Sequence, residues 1–474
     1  MRDRNRRVWT LRPYTAPVRV AERTVMGAYL GRTFAFLLLL PALSLMGACT
    51  ITIGPYDDPE GTGSQNTSSV PTLPEPDNVQ GEAWNLTPEQ QARREEADRY
   101  VIEKVYKGYK ILRTVQDEHG DIIDWIASDT MEQLPYPLPE LPWTLDQLVF
   151  PDGVELAESE LSRHPELFGP VGSTPFHRPM YWDYVLGETD ATSVEDYLDH
   201  YQVHGQLAAV RRLYAGLVVD APNRGLSGYM NQFEPRVEPW SLSIMEFAVA
   251  CPAPEIGPAQ ELIGVVISVD KANGFGPNRY LHSDGKARLH VEYYRLVNGQ
   301  LDFVWDVNKP GFVPNPASLY AIDSIVPVST KGGTQVEHRV DIFQVPTTGD
   351  WWIAYNGWLL GYYPSSLFTL LNKGACSANW YVEVADQKPG LAWVETEVGT
   401  GEYGDQAVPG DAAWVRQPMY WDMNWLLQEP KIDRHMVPEN KSCYTRSPLL
   451  DMGPLLGKRF LAGGPGGYNP QCTK

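Results

Sequence analysis

Basic residues are scarce in this 474-residue sequence, in which 39 Lys and Arg stand against 59 Asp and Glu, for a formal net charge of −20. Such a chain cannot neutralise a run of phosphates, so nucleic acid is excluded as a partner. The nine His show no ligand spacing such as His-x-x-x-His, and we expect neither a metal nor a cofactor. Long amphipathic helical runs are scarce after residue 112. The abundant residues, 15 Trp, 25 Tyr, 40 Pro and 41 Gly, favour many strands joined by tight turns.

The longest apolar stretch, Thr33–Ala48, is too short and too interrupted by proline for a transmembrane helix. It ends in small residues directly before Cys49, a pattern that resembles a bacterial lipobox. The resemblance implies a signal peptide over residues 1–48 and a lipid on Cys49, which would be the only attachment to a membrane. Thr50 differs from the Asp that retains such lipoproteins at the inner membrane, so we expect export to the outer membrane or cell surface.

Residues 49–84 are rich in Gly, Pro, Ser, Thr, Asn and Asp, and are predicted to be a flexible tether behind the lipidated cysteine. The long basic segment before the apolar run leaves two possible start sites, Met1 and Met26. Without the lipidated residue the cysteine number is even, as expected in an oxidising compartment. Four cysteines allow three pairings, which spacing alone does not separate: Cys251, Cys376, Cys443 and Cys472.

A small α+β module is predicted over residues 85–150. Thr87, followed by Pro and then by Gln90, forms a capping box, so a helix is expected from there to about Tyr109. Residues 111–126 read as two strands around an Asp-Glu-His-Gly turn, which predicts a hairpin. The next segment, residues 151–222, is a connection whose structure the sequence leaves open.

The most distinctive stretch is Gly349–Val384, which combines two Trp-rich, strand-like runs with one carboxylate, Glu383. On an alternating strand that carboxylate is either a solvated residue or a working acid or base. The stretch resembles the neprosin family of glutamic peptidases at these positions: Gly349, Trp351, Trp352, Gly361, Tyr362, Pro364, Leu367, Phe368, Trp380, Glu383 and Val384.

The resemblance extends to both ends of the folded part. The hairpin at 111–126 and the Pro-rich run after it resemble the activation-peptide module that precedes the neprosin domain. Residues 460–472, FLAGGPGGYNPQC, resemble the family's C-terminal motif. The resemblance implies a β-sandwich over residues 223–474 and pairs Cys443 with Cys472. Cys251 with Cys376 is then the remaining pair.

The resemblance also implies a catalytic pair of Glu on facing strands. Glu383 matches the second. The first is not matched, because Leu262 or Ile263 stands near its expected position. The nearest carboxylate is Glu261, which could face the same cleft if a bulge shifted it. Two other acids, Glu246 and Glu292, are expected to be solvated surface charges.

The family relation implies an antiparallel β-sandwich with a small N-terminal α+β pro-module, acting as an exported, lipid-anchored glutamic endopeptidase. Its substrates would be peptides or proteins cleaved near proline at acid pH, with Glu383 and Glu261 as the catalytic pair. The alternative is a neprosin-like pseudoenzyme that binds peptides or cell-surface polymers, since the first carboxylate has no clear match and Tyr381 and Val382 replace two glycines of the family.

Overall fold

The computed structural model describes residues 73–78, 85–134, 137–140, 149–198, 211–238, 241–252, 260–270, 285–306, 311–386, 395–436 and 440–472. The signal peptide, Cys49 and nearly all of the tether lie outside these ranges. None of the described helices is both long and apolar enough to cross a membrane.

The described residues contain twenty strands, three α-helices with complete bounds and a further helical stretch at residues 194–198. The helices are α1 Pro88–Tyr100, α2 Glu160–Arg163 and α3 Trp182–Leu186. The strands are β1 Ile111–Gln116, β2 Ile122–Ala127, β3 Val154–Leu156, β4 Ser173–His177, β5 Arg211–Val219, β6 Asn223–Asn231, β7 Ser241–Cys251, β8 Glu261–Asp270, β9 Arg288–Val297, β10 Gln300–Trp305, β11 Val313–Pro314, β12 Gln335–Gln344, β13 Trp351–Tyr355, β14 Trp358–Tyr363, β15 Ser377–Asp386, β16 Ala413–Asp422, β17 Leu427–Gln428, β18 Thr445–Arg446, β19 Leu450–Asp451 and β20 Lys458–Gly463.

Two large sheets pack face to face. The first has six antiparallel strands in the order β10-β9-β8-β7-β15-β5, and the second runs β11-β14-β13-β12-β6-β16-β20-β18 with short strands at its margins. Alternate side chains of both sheets fill one core, which holds Phe247, Ile342 and Trp380. The indole Nε1 of Trp380 donates across the core to the carbonyl of Ser227 at 3.1 Å. The predicted antiparallel β-sandwich is confirmed.

The N-terminal module packs against the outer face of the six-stranded sheet. Its helix begins with the predicted capping box at Thr87, but α1 ends at Tyr100 and a π-helical turn, Val101–Val105, follows it. Hairpin β1–β2 has β4 as its third strand. Apolar residues of this module share one buried cluster with Ile244 and Val266 of the outer sheet face. The module therefore covers part of that face.

Residues 151–222 do not form a separate connection. They supply β3 to the second sheet, β4 to the module and β5 to the edge of the six-stranded sheet. The sandwich accordingly takes its first six-stranded-sheet residues from Arg211, before the expected boundary at 223. Strand β12 is buried along its whole length.

Both disulfides are present as the resemblance implied, joining Cys251 to Cys376 and Cys443 to Cys472. The first joins the end of β7 to the residue just before β15. The second ties the C-terminal segment back to the start of the strand region near β18. Each bridge thus fixes strands that the chain connects only over a long path.

Candidate active site

The outer face of the six-stranded sheet carries three glutamates. Glu383 of β15 lies opposite Ile244 of β7, and Glu246 of β7 lies opposite Tyr381 of β15. On the other side of β7, strand β8 places Gly264 opposite Glu292 of β9. Residues paired across strands share a face, and so do residues two apart along a strand. Register therefore brings Glu246, Glu292 and Glu383 to one face.

All three carboxyls are buried, with residue exposures of 2% for Glu246, 5% for Glu292 and 2% for Glu383. The expectation that Glu246 and Glu292 are solvated surface charges is therefore wrong. The cause is the covered outer face, because apolar neighbours of the sheet and the N-terminal module exclude water from a surface that the strand pattern alone treats as open.

A missing side chain at Gly264 makes room for two of the acids. A Cβ placed on Gly264 would lie 2.8 Å from Oε1 of Glu246 and 3.1 Å from Oε1 of Glu292. Both carboxyls therefore converge on the space above this glycine. Glu292 and the Tyr381 hydroxyl lie within hydrogen-bonding reach of Glu246.

Glu383 is held by a cation. The guanidinium of Arg212, on the edge strand β5, donates from Nη1 to Oε1 of Glu383. The Arg212 side chain is 40% exposed whereas that of Glu383 is 3% exposed, so the ion pair runs from solvent into the buried site. An arginine in this position favours the ionised form of Glu383.

Burial and neighbouring charges give the three glutamates different pKa values. It raises the pKa of Glu383 above its usual value, and Arg212 opposes the rise. Burial and the charge of Glu383 raise the pKa of Glu246 to about 8. Burial and the neighbouring Glu246 raise the pKa of Glu292 well above its usual value. A carboxylate with a cationic partner thus lies beside carboxyls that stay protonated at neutral pH.

Tyrosines line the same face. Burial raises the pKa values of Tyr214 and Tyr381 well above the ordinary tyrosine value, so both hydroxyls remain neutral hydrogen-bond donors. Their rings meet edge to face at 5.4 Å. Leu262 and Tyr381 belong to one apolar cluster beside the acids. Leu262 therefore lies on the same face as the acids, and it is one of the two residues near which the resemblance places the first family Glu.

Glu261 does not reach the site, and its expected place in the cleft is corrected. It lies opposite Cys251, on the strand face whose other members fill the main core. Its carboxylate accepts hydrogen bonds from the Thr369 amide and hydroxyl at 2.7 and 2.6 Å. The amides of Leu370 and Leu371 donate to its other oxygen, each at 2.8 Å. No bulge shifts β8 against its neighbours, and Glu261 binds the loop before β15 instead.

The sequence did contain a signal for one of the two acids that were missed. Glu246 is the single charged residue in SLSIMEFAVAC, a strand too apolar to have a solvated face. An isolated acid in such a run is more informative than an acid in an alternating strand.

A second polar cluster lies at the junction of module and sandwich. His290, Asp306 and Asp323 place possible ligand atoms within 4.8 Å of one another, the one such group among the described residues. His290 Nδ1 contacts Oδ2 of Asp306 at 2.8 Å, and Arg288 forms an ion pair with Asp121 at 2.6 Å. A cavity of about 30 Å³ adjoins it, lined in part by His177. The cluster has its own cationic side chains, as a structural charge network does.

The arrangement at the glutamates fits acid–base hydrolysis without a metal ligand set. An ionised carboxylate can take a proton from water, and a protonated carboxyl a short distance away can donate one. The tyrosine hydroxyls can stabilise a developing oxyanion.

Comparison with known proteins supports this assignment in part. The family model described as Neprosin matches residues 272–465, which include Glu292 and Glu383 but not Glu246. A crystal structure of Scytalido-glutamic peptidase with a peptide-based transition state analog covers 54% of this chain and 98% of its own, at 8% identity and a TM-score of 0.25. SCP-B, a member of the Eqolisin family of peptidases, covers the same shares at 6% identity and a TM-score of 0.22.

The kappa-carrageenase from Pseudoalteromonas carrageenovora covers 39% of this chain and 57% of its own, at 9% identity and a TM-score of 0.19. TM-scores this low do not establish a shared fold, so the sandwich rests on the sheet topology itself. The sequence match is of a different kind, since it covers the aromatic stretch and the C-terminal glycine motif. The family model described as Neprosin thus matches residues 272–465, and the resemblance to the neprosin family is confirmed over that part of the chain.

Proposed function

We propose that this protein is a glutamic endopeptidase in which Glu383 is the general base and Glu246 is the general acid. The observation that carries the proposal is the pairing of an arginine-bound carboxylate with a buried carboxyl whose pKa is raised to about 8, on adjacent strands of one face. Opposite protonation states in neighbouring acids are what acid–base catalysis needs.

The reaction balances with these two groups. Glu383 takes a proton from water while the oxygen of that water attacks the scissile carbonyl carbon, and Glu246 gives its proton to the carbonyl oxygen. The tetrahedral intermediate collapses when its hydroxyl returns that proton to Glu246. Glu383 passes the water-derived proton to the leaving amine. Both acids then regain their starting states, and the products are a carboxylic acid and an amine.

The pH range of this chemistry is set by both acids. Glu383 must lose its proton, so activity falls on the acid side of its raised pKa. Glu246 must keep its proton, so activity falls above about pH 8. The sequence resemblance implied work in acid, whereas this pair extends activity towards neutral pH.

The substrates would be peptides or proteins with an apolar residue near the cut, proline among them, because Leu262 and Tyr381 form an apolar wall beside the acids. The module covers the neighbouring part of the same face, so displacement of the module would widen access to the site. Lipid attachment through Cys49, export, and a place at the outer membrane or cell surface are part of the proposal.

The test is Glu383→Gln in the full chain, with cleavage of a proline-containing peptide followed from pH 4 to 8. We expect activity to fall by about 10²- to 10⁴-fold, the usual contribution of general acid–base catalysis. The control is Glu395→Gln, whose carboxylate is 48% exposed and forms an ion pair with a surface arginine, Arg236. Unchanged activity in Glu383→Gln would overturn the assignment of Glu383.

A second candidate is a neprosin-like pseudoenzyme that binds peptides without cleaving them. The observation that favours it is that both residues near the position of the first family Glu, Leu262 and Ile263, are buried apolar side chains. Its mark would be saturable peptide binding with no turnover at any pH tested, and with binding unchanged in Glu383→Gln.

A further inference from the structure

We propose that Glu292 is a positioning residue of this site, which as a neutral carboxylic acid donates a hydrogen bond to Glu246 across Gly264. The bond stabilises the carboxylate that remains when Glu246 gives up its proton. This inference rests on the proposed function for its catalytic meaning, although the contact itself stands without it.

The geometry comes from register on three adjacent strands. Gly264 of β8 lies directly opposite Glu292 of β9 and Ala248 of β7, and Glu246 is two residues from Ala248 on the same face. The two carboxyls would otherwise be separated by a side chain on β8. Because position 264 has none, both reach the space that its Cβ would fill, at 2.8 Å for Glu246 Oε1 and 3.1 Å for Glu292 Oε1.

Two buried carboxyls this close cannot both be ionised at neutral pH, since each charge in a dry site disfavours the other. A retained proton between them makes one acid the donor and the other the acceptor. Glu292 on β9 lies two strands further from the cation of Arg212 on β5 than Glu246 on β7 does, so Glu292 is the acid that keeps the proton. The hydrogen bond from Glu292 in turn lowers the pKa of Glu246 against the effect of burial.

Tyr381 is another donor within reach of Glu246, and Glu292 adds a donor from the opposite side of β7. On the same face lie Glu383 and Tyr381 of β15, Arg212 and Tyr214 of β5, and Tyr294 of β9. Arg212 is bound to Glu383 and lies partly in solvent, so its attraction for Glu246 is screened. His290, the next residue on this face of β9, contacts Asp306. The module side of the face contributes apolar groups around Ile244 and Val266.

The contact would make Glu246 a better acid. A protonated carboxyl in an apolar pocket holds its proton tightly, and a donor aimed at the conjugate base offsets that effect. A donor to a charged acceptor typically changes a rate or an equilibrium by about 10- to 100-fold. Glu292 need not touch the substrate to have this effect.

The experiment compares Glu292→Leu with Glu292→Gln in the full chain. Gln keeps an N–H donor at this position, whereas Leu fills the space without one. We expect kcat to fall by about 10- to 100-fold in Glu292→Leu and the alkaline limb of the pH profile to move to higher pH, because Glu246 then holds its proton more tightly. Glu292→Gln should restore most of the rate with the limb near its original place.

Two further measurements separate this inference from the proposed function. Gly264→Ala should reproduce the shift of the alkaline limb, since its Cβ would enter the space between the carboxyls. Independently of turnover, the infrared band of a protonated carboxyl should persist above pH 8 in the wild type, and at neutral pH the band of Glu292→Leu should lack the intensity of one carboxyl.

Equal rates and equal pH profiles in the Leu and Gln variants would overturn the role of Glu292, as would a wild-type spectrum without that band. If the band is present and removable but the wild type cleaves no peptide, the contact holds and the proposed function fails.

Discussion

Glu337 in the larger sheet and Glu246 in the six-stranded sheet are both buried glutamates, but the charges around them differ. Glu337, on β12 of the larger sheet, is fully buried and accepts from Arg416 Nε at 2.8 Å and from Trp414 Nε1 at 2.7 Å. Arg416 is itself fully buried and forms a forked ion pair with it. Glu246, on β7 of the six-stranded sheet, is almost as deeply buried, yet it faces two other acids and one distant cation.

The difference separates a structural acid from a working one. A carboxylate whose charge is matched by a buried arginine holds one protonation state and one position. A buried carboxyl left among like charges retains a proton that can be given away. Burial alone therefore does not identify a functional acid; the balance of charge around it does. Each of the following substitutions tests that distinction.

The largest effect on stability is expected for Glu337→Gln. The substitution leaves the Arg416 charge buried without its partner, which typically costs about 3–5 kcal/mol of unfolding free energy. Denaturant unfolding at neutral pH would measure the loss. A change below about 1 kcal/mol would show that the pair is not structural, and the matched surface variant Glu395→Gln should stay within about 0.5 kcal/mol of the wild type.

Glu246→Gln should raise the stability of the protein at high pH, whereas Glu337→Gln should lower it. Because the folded pKa is raised to about 8, the folded state binds more protons than the unfolded state between the ordinary value and about 8. The wild type therefore loses stability as pH rises through this window, at up to about 1.4 kcal/mol for each unit. Gln cannot ionise and removes this loss.

Thermal unfolding of the wild type and Glu246→Gln at pH 5 and pH 8 would check this dependence of stability on pH. We expect Glu246→Gln to gain stability relative to the wild type at pH 8 and to lose most of its peptidase activity. Parallel pH curves for the two proteins would contradict the raised pKa.

Glu261→Gln tests the acid that sequence reasoning placed in the catalytic pair. Its carboxylate accepts four hydrogen bonds from the loop at Thr369–Leu371, so we expect a loss of about 1–3 kcal/mol. The pH profile of the remaining folded enzyme should not move. A shifted profile with unchanged stability would return Glu261 to the catalytic pair.

The smallest effect is expected for Arg212→Gln. Arg212 favours the ionised form of Glu383, so its removal should raise the pKa of that acid and move the acid limb of the activity profile to higher pH. The arginine is 40% exposed, which limits the shift to less than about 1 unit. High salt should reduce the difference between the two proteins, and a limb that moves to lower pH would contradict the ion pair's role.

Local patterns in the sequence were sufficient to predict particular secondary-structure elements. The capping box at Thr87 begins α1, and Asn298-Gly299 turns β9 into β10 with both residues at positive φ, as this hairpin requires. The family motifs gave both disulfides and Glu383. These features depend on residues that are close in sequence or on motifs that can be matched directly.

Local patterns could not predict which residues come together in the candidate site. Glu246 and Glu383 are brought together because β7 pairs with β15, strands that are more than a hundred residues apart along the chain. No local pattern encodes that pairing. The sequence did show that Glu261 and Leu262 point to opposite faces, but only the register of β8 against β9 reveals that the acids share the face of Leu262.

The bridge joins Cys251 and Cys376, which are 125 positions apart in the sequence, and closes the chain between the strands that carry Glu246 and Glu383. A cut anywhere within that closed segment, including the exposed turn at Asn298, would leave the two strands covalently joined. An exported protease of the kind proposed above would meet other proteases and its own copies. The bridge would let such a molecule be nicked in a surface loop and still keep its two acids on one scaffold, which non-reducing and reducing gels of a nicked, active sample would reveal.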